Sequence, residues 1–361
     1  MTKAELEVSK EKEATKDRVV YLDILRIVSI FFVMMIHVSV HSMSELDPAS
    51  FTWQIQNFYN AISRWCVPVL VMISGTLFLN IEITIEKLFK KYILRIVIVY
   101  CVWSLCYAFI FQLIPKHNIR GFISSTIKGH YHMWFLLMIV GLYIITPFLR
   151  KIVQDEIYIQ YFLALSLVFA LAIPEVISII KTVSEEYGTK VETLINKANI
   201  HFMLGFTIYY VGGYYLDKIT ISEKQAKYII LLGILGFIFT VILTSVFSIY
   251  KKTSIQVFYS NQSINVCFEA VLIFWLFKKR FSKKQFSEKS KTIIRALSKY
   301  SFGAYLIHVF VITVLSDQLH LSNVSFNPLF AIPFVTFLVF IISFCASAIL
   351  NHIPFIKDHF V

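Results

Sequence analysis

Residues 228–250 read YIILLGILGFIFTVILTSVFSIY, a run without a single charged side chain. A helix rising about 1.5 Å per residue needs roughly 20 apolar residues to cross a hydrocarbon core about 30 Å thick, so this segment reads as a membrane span. Further windows satisfy the same criterion at 22–42, 61–80, 92–114, 132–148, 161–180, 200–216, 260–277, 300–316 and 328–350. Every spanning element must satisfy its backbone hydrogen bonds internally, and these windows are too long and too uniformly apolar for barrel strands. The expected fold is an all-α integral membrane protein of about ten transmembrane helices, with N- and C-termini cytoplasmic.

The composition outside that run agrees. With 57% hydrophobic and 16% charged residues and a mean hydropathy of +0.70, the chain does not describe a water-soluble globule. Basic residues are sorted by loop: the N-terminal tail through Arg26, the loops at 81–95, 149–159, 217–227 and 278–299, and the C-terminus hold 25 of the 34, the opposite loops hold eight, and Arg64 is the remaining one. The positive-inside rule assigns the basic set to the cytoplasm. The most basic loop is KKRFSKKQFSEKSKTIIR at 278–295. The net charge of +12 therefore reports topology, and no nucleic-acid motif accompanies it. Residues 1–20 lack the apolar core and cleavage site of a signal peptide and are expected as a cytoplasmic tail. Residues 21–351 form one membrane domain, and 352–361 a second cytoplasmic tail. Cys66, Cys101, Cys106, Cys267 and Cys345 lie in apolar segments without C-x-x-C or Cys/His metal spacing and read as buried thiols. No P-loop or metal-ligand cluster is present, so no bound cofactor or metal is expected.

In the first span, Asp23, Arg26, Ser29 and His37 recur at spacings that share a helical face. Eleven residues at about 100° each return His37 to within roughly 20° of Arg26, about 16 Å farther along the axis. Ionisable groups at membrane depth are costly and normally face a water-filled cavity or a partner. The bland reading pairs Arg26 with Asp23 at the interface and leaves His37 as an interhelical hydrogen-bonding residue.

Arg26-x10-His37 within YLDILRIVSIFFVMMIHVS (21–39) resembles the signature of the acyltransferase family 3 membrane enzymes. RWCVPVLVMISGTLFL (64–79) is similar to the family's second-helix motif ending in Ile-Ser-Gly. HMWFL (132–136) resembles its His-x-Trp-Phe-Leu entry to the fourth helix, and SFGAYLIH (301–308) its Ser-Phe-Gly-x-Tyr-Leu-Ile-His segment. The resemblance spans about residues 20 to 350.

What it implies is O-acyl transfer, usually of acetyl, from acyl-CoA on the cytoplasmic side to a hydroxyl of a sugar or other acceptor on the far side. Acetyl-CoA would then be a co-substrate, and a cell-surface glycan or lipid-linked sugar the acceptor. Such transfer needs a general base or a nucleophile that holds the acyl group, and His37 suits either role. A developing oxyanion needs fixed donors, which Arg64, His132 and Trp134 offer. Arg26, at the other end of the stripe beside Asp23, would meet the thioester or the pantetheine arm. CoA phosphates ask for cations, and KLFKKYILRI (87–96) supplies Lys90, Lys91 and Arg95 beside Lys87. Related enzymes often carry Arg-x-x-Arg here; Tyr92 stands where the first arginine belongs, and Lys91 substitutes only as a point charge.

Glu175, beside Pro174 in the outer half of the fifth span, could touch acceptor or pair with Arg64 or a histidine. Tyr305 and His308 could line the cavity. His41, His130 and His201 read as interfacial histidines, and Ser74 as a close-packing residue. The chain ends about ten residues after its last span, so a fused esterase-like domain is not expected. The Lys- and Ile-rich usage suggests a bacterium with an AT-rich genome, and the plasma membrane is the expected location. The rival reading is a secondary transporter or flippase, which would use the same polar stripe.

Overall fold

The computed structural model describes residues 3–114, 119–197 and 205–354, and no strand occurs among them. The helices are α1 (Lys3–Ser39), α2 (Phe51–Ala61), α3 (Cys66–Leu79), α4 (Leu94–Ala108), α5 (Ile119–Lys128), α6 (Trp134–Ile152), α7 (Glu156–Ser166), α8 (Ile173–Val183), α9 (Glu185–Lys197), α10 (Thr207–Lys218), α11 (Glu223–Lys251), α12 (Ile264–Phe281), α13 (Glu288–Thr313) and α14 (Pro328–Leu350). The protein is an all-α, multi-pass membrane protein. The tail expected over 1–20 is helical from Lys3 and runs into α1 without a break. Residues 355–361 of the expected C-terminal tail lie outside the described residues.

Eight stretches among the described residues are long and apolar enough to cross a bilayer: Val20–Glu45, Phe51–Leu79, Ile85–Gln112, Ile119–Ile152, Glu156–Val183, Glu223–Lys251, Glu288–Gln318 and Pro328–Leu350. The other two expected windows behave differently. Window 200–216 falls partly outside the described residues, and its remainder is the twelve-residue α10. Window 260–277 becomes α12, which carries Glu269 and ends in Lys278, Lys279 and Arg280. Several spans are interrupted rather than straight. Wider turns at Leu88–Ile93 and Phe109–Leu113 flank α4, another at Leu167–Ala172 joins α7 to α8, and a fourth at Val314–Gln318 follows α13. Such widened turns relieve the regular ladder and recur near functional sites.

The opening run shows why these residues pack as they do. Ser222 caps α11 through a reciprocal capping box with Gln225. Gly233, Gly236, Thr240, Thr244 and Ser248 form its buried stripe, while Leu231, Phe239, Ile242 and Val246 stay exposed on the outside. Lipid is as apolar as leucine, so small residues face neighbouring helices and large ones face the membrane. The closest crossing joins α3 to α10. A Cβ on Gly75 would lie 1.8 Å from the Tyr210 carbonyl oxygen, and one on Gly213 would lie 2.3 Å from that of Met72. Only glycine allows that approach.

Some basic residues read as topology markers also cap helix ends. Arg150 donates to the carbonyls of Phe78 and Ile83, and Lys278 to those of Leu216 and Ile219. The cysteines divide: Cys66 and Cys267 are buried, whereas Cys101, Cys106 and Cys345 lie on the outer surface, and all five are free thiols. An apolar helix segment exposes one face to lipid, and these three fall on it.

Candidate functional site

A cavity of about 1230 Å³ opens at the end of the bundle where the lysines gather. It slightly exceeds the usual range of small-molecule sites, roughly 300–1,000 Å³. Five exposed cations line it: Lys87, Lys90, Lys91, Arg95 and Lys299. Lys90 is tied to Glu86 at 2.7 Å, a surface pair with side chains 75% and 72% exposed. Tyr92, which replaces the expected arginine, also lines the cavity and meets Phe78 edge-on at 5.0 Å. Apolar walls from α1, α3, α4 and α6 lead inward past Arg26 and Tyr143 to Phe135 and Tyr305.

Arg26 reaches this cavity because a small hydrogen-bonded set holds it. Its Nη1 donates to Ser298 Oγ at 2.9 Å, and Ser298 donates to Asp23 Oδ1 at 2.6 Å. Arg26 and Asp23 lie 3.4 Å apart. The i,i+3 spacing of Asp23 and Arg26 places both on one side of α1, and α13 supplies the serine. Asp23 thus positions the guanidinium. Ser29 spends its hydroxyl on the Leu25 carbonyl.

Beyond Tyr305 lies a group of imidazoles. The Tyr305 hydroxyl donates to the His132 carbonyl at 2.5 Å, and the Tyr305 carbonyl faces His308 Nδ1 at 2.5 Å. The His308 ring is 5.0 Å from that of half-buried His37 and 5.2 Å from that of His132. His132 Nδ1 in turn meets His130 Nδ1 at 3.0 Å. Tyr107 stacks on His130 at 4.4 Å and donates to the Leu306 carbonyl. The Nε2 atoms of His132 and His308 are buried with no hydrogen-bond partner among the described residues. Leaving a buried polar group without a hydrogen bond costs about 1–3 kcal/mol, so each of these atoms calls for a polar partner. Among the described residues no group of three or more His, Cys, Asp or Glu side chains is disposed to hold a metal ion.

The other expected site residues make contacts of their own. Arg64 packs its guanidinium 4.5 Å over the Tyr259 ring, with Nε buried and lacking a hydrogen-bond partner among the described residues. Tyr259 donates to Asn57 at 2.5 Å. Glu269, which sequence reasoning did not single out, lies buried on α12 with Oε1 2.9 Å from Thr240. Glu175 accepts the Ile264 backbone N–H at 2.8 Å and so caps the start of α12, apart from the histidines. Trp134 is 41% exposed and packs on Phe206 at 5.6 Å. His41 meets Ser316 at 3.1 Å, and His201 lies outside the described residues. Ser74 lines the cavity but gives its hydroxyl to the Leu70 carbonyl.

Four contributors escaped the sequence: Ser298 and Lys299 at the cavity, and Tyr107 and Tyr143 beside its polar groups. Ser298 and Lys299 lie within three residues of the start of SFGAYLIH at Ser301, which is the available signal. A guanidinium fixed on a cavity wall and a group of imidazoles beyond Tyr305 are residue types that acyl transfer can use. A family model described as an acyltransferase domain matches residues 19–348. No curated protein and no solved structure matches the chain.

Proposed function

The chain belongs to acyltransferase family 3, and from that membership we propose that this membrane acyltransferase moves an acetyl group from acyl-CoA to a hydroxyl of a cell-surface glycan or lipid-linked glycan precursor. The observation that carries the proposal is the single cavity lined by cations at its opening, by Arg26 along its wall and by Tyr305 at its inner end, where Tyr305 bonds to both His132 and His308. The cationic opening suits the CoA phosphates, as exposed Lys and Arg do for phosphates generally. The apolar wall suits the pantetheine arm, and Arg26 the thioester oxygen. His37 is the acyl-accepting or proton-accepting imidazole. Arg64 would serve through the shape of the far end of the site, where it holds Tyr259.

In this reading the lysine-rich end is cytoplasmic, as the loop charges ask, and the histidines lie toward the opposite face of a bacterial plasma membrane. CoA is consumed as a co-substrate. The deciding experiment supplies labelled acetyl-CoA to the purified protein in liposomes and compares wild type with His37→Ala and Arg26→Ala at matched folded yield. Label leaving CoA in wild type, and lost in both variants, supports the enzyme and its stripe. Intact CoA across a panel of acyl-CoAs and glycan acceptors, or fully active variants, sinks it and returns the question to transport.

A further inference from the structure

The hydrogen bond between His308 and Tyr305 determines which nitrogen of His308 can act. A backbone carbonyl only accepts, so the 2.5 Å contact puts the proton of a neutral His308 on Nδ1 and leaves a lone pair on Nε2. That Nε2 is buried, on a residue 0% exposed, and has no hydrogen-bond partner among the described residues. Two imidazoles flank the ring, His37 at 5.0 Å and His132 at 5.2 Å. Two bases in one site allow a division of labour that one histidine cannot provide. The same arrangement appears wherever a carbonyl or carboxylate orients an imidazole whose other nitrogen takes a proton.

Resting on the acyl-transfer reading, we propose that His308 is the general base of the acceptor half-reaction and that His37 is the covalent acyl carrier. In the first half, a ring nitrogen of His37 attacks the thioester carbonyl carbon. The C–S bond breaks with its electron pair on sulfur, and sulfur takes the proton released by the other nitrogen of His37. The products are N-acyl-His37 and the CoA thiol. In the second half, the acceptor oxygen attacks the acyl carbon while His308 Nε2 takes the hydroxyl proton. The C–N bond breaks, its electron pair returns to His37, and the proton on His308 passes to His37. Both histidines finish neutral and the acyl group ends as an ester. The unpartnered Nε2 of His132 supplies the second contact to the attacking oxygen. Tyr305 sits between the donor cavity and this group, and through its backbone carbonyl it sets the tautomer.

The test needs no knowledge of the natural acceptor, because water can play that part. Purified protein in liposomes is mixed with labelled acetyl-CoA alone, and CoA release is followed through the first turnover and at steady state. Wild type is expected to release a burst of about one CoA per protein and then to turn over slowly. His308→Gln is expected to keep the burst, retain the label on the protein, and deacylate 10²- to 10⁴-fold more slowly, the usual worth of a general base. Hydroxylamine, a nucleophile that needs little base assistance, should strip the retained label as acetyl hydroxamate. His37→Ala should show neither burst nor label. A second measurement avoids mutation of the site: ¹⁵N-histidine spectra of wild-type protein should show His308 protonated at Nδ1. Loss of burst and turnover together in folded His308→Gln, deacylation at the wild-type rate, or an Nε2-protonated His308 would each overturn the assignment. A burst that survives His37→Ala removes the carrier role while leaving acyl transfer standing. Wild type that never cleaves the thioester overturns the underlying reading as well.

Discussion

Ser298 donates its hydroxyl proton to Asp23 across 2.6 Å and accepts from Arg26 across 2.9 Å, so one serine on α13 joins Asp23 and Arg26 of α1. Hydrogen bonds to charged groups contribute about 1.5–3 kcal/mol each. Ser298→Ala should therefore lower kcat/KM for acetyl-CoA cleavage by about tenfold, since 1.4 kcal/mol is a factor of ten. Ser298→Thr should retain most of the activity. Equal rates for the alanine variant and wild type would show that Arg26 is held without this bridge.

The exposed cations at the cavity opening act together rather than singly. Surface charges are screened over about 10 Å at 0.1 M salt, and isolated exposed pairs contribute little. Replacing Lys90, Lys91 and Lys299 with glutamine should raise KM for acetyl-CoA by about tenfold with kcat unchanged. Raising salt should weaken wild type in the same way and barely affect the triple variant. A KM that ignores both treatments would place the CoA phosphates elsewhere.

The α3–α10 crossing gives a stability prediction independent of function. A Cβ at Gly75 would meet the Tyr210 carbonyl at 1.8 Å, a backbone atom that cannot swing aside. Overpacking typically costs about 1–3 kcal/mol, occasionally more. Gly75→Val should lower the melting temperature in detergent well below that of Gly141→Ala, where a Cβ meets nothing within 4 Å. Equal melting temperatures would mean that the two helices separate easily.

Glu175 separates a capping role from an acceptor-binding one. As the cap of Ile264 N–H, its removal in Glu175→Ala should cost about 1 kcal/mol of stability, read by thermal melting. Deacylation by water and KM for a glycan acceptor should stay within twofold of wild type. A large acceptor-specific rise in KM with unchanged melting would instead put this carboxylate in contact with sugar.

Composition and periodicity carried the architecture a long way. Uncharged runs such as 228–250 declare membrane helices because length and hydropathy alone meet the bilayer's demand. The α-helical repeat alone puts Asp23 and Arg26 on one side of α1. The same reading passed over Glu269, which lies inside the apolar window that becomes α12. It also missed α5 and α9, short helices outside the ten expected windows whose signal is too weak against a hydrophobic background.

Which residues meet was another matter. Asp23 and Ser298 are 275 positions apart, and His37, His130, His132 and His308 come from three separated parts of the chain. The sequence by itself determined that the chain is helical, lipid-embedded and marked by an ionisable stripe, because those properties follow from residue chemistry summed along one helix. Only the tertiary structure decided that Glu175 caps a helix, that Arg64 lies on Tyr259 and that His308 faces His37. Contacts between helices are set by which small residues allow close approach, as Gly75 and Gly213 do, and that packing is a property of pairs of surfaces rather than of any one segment.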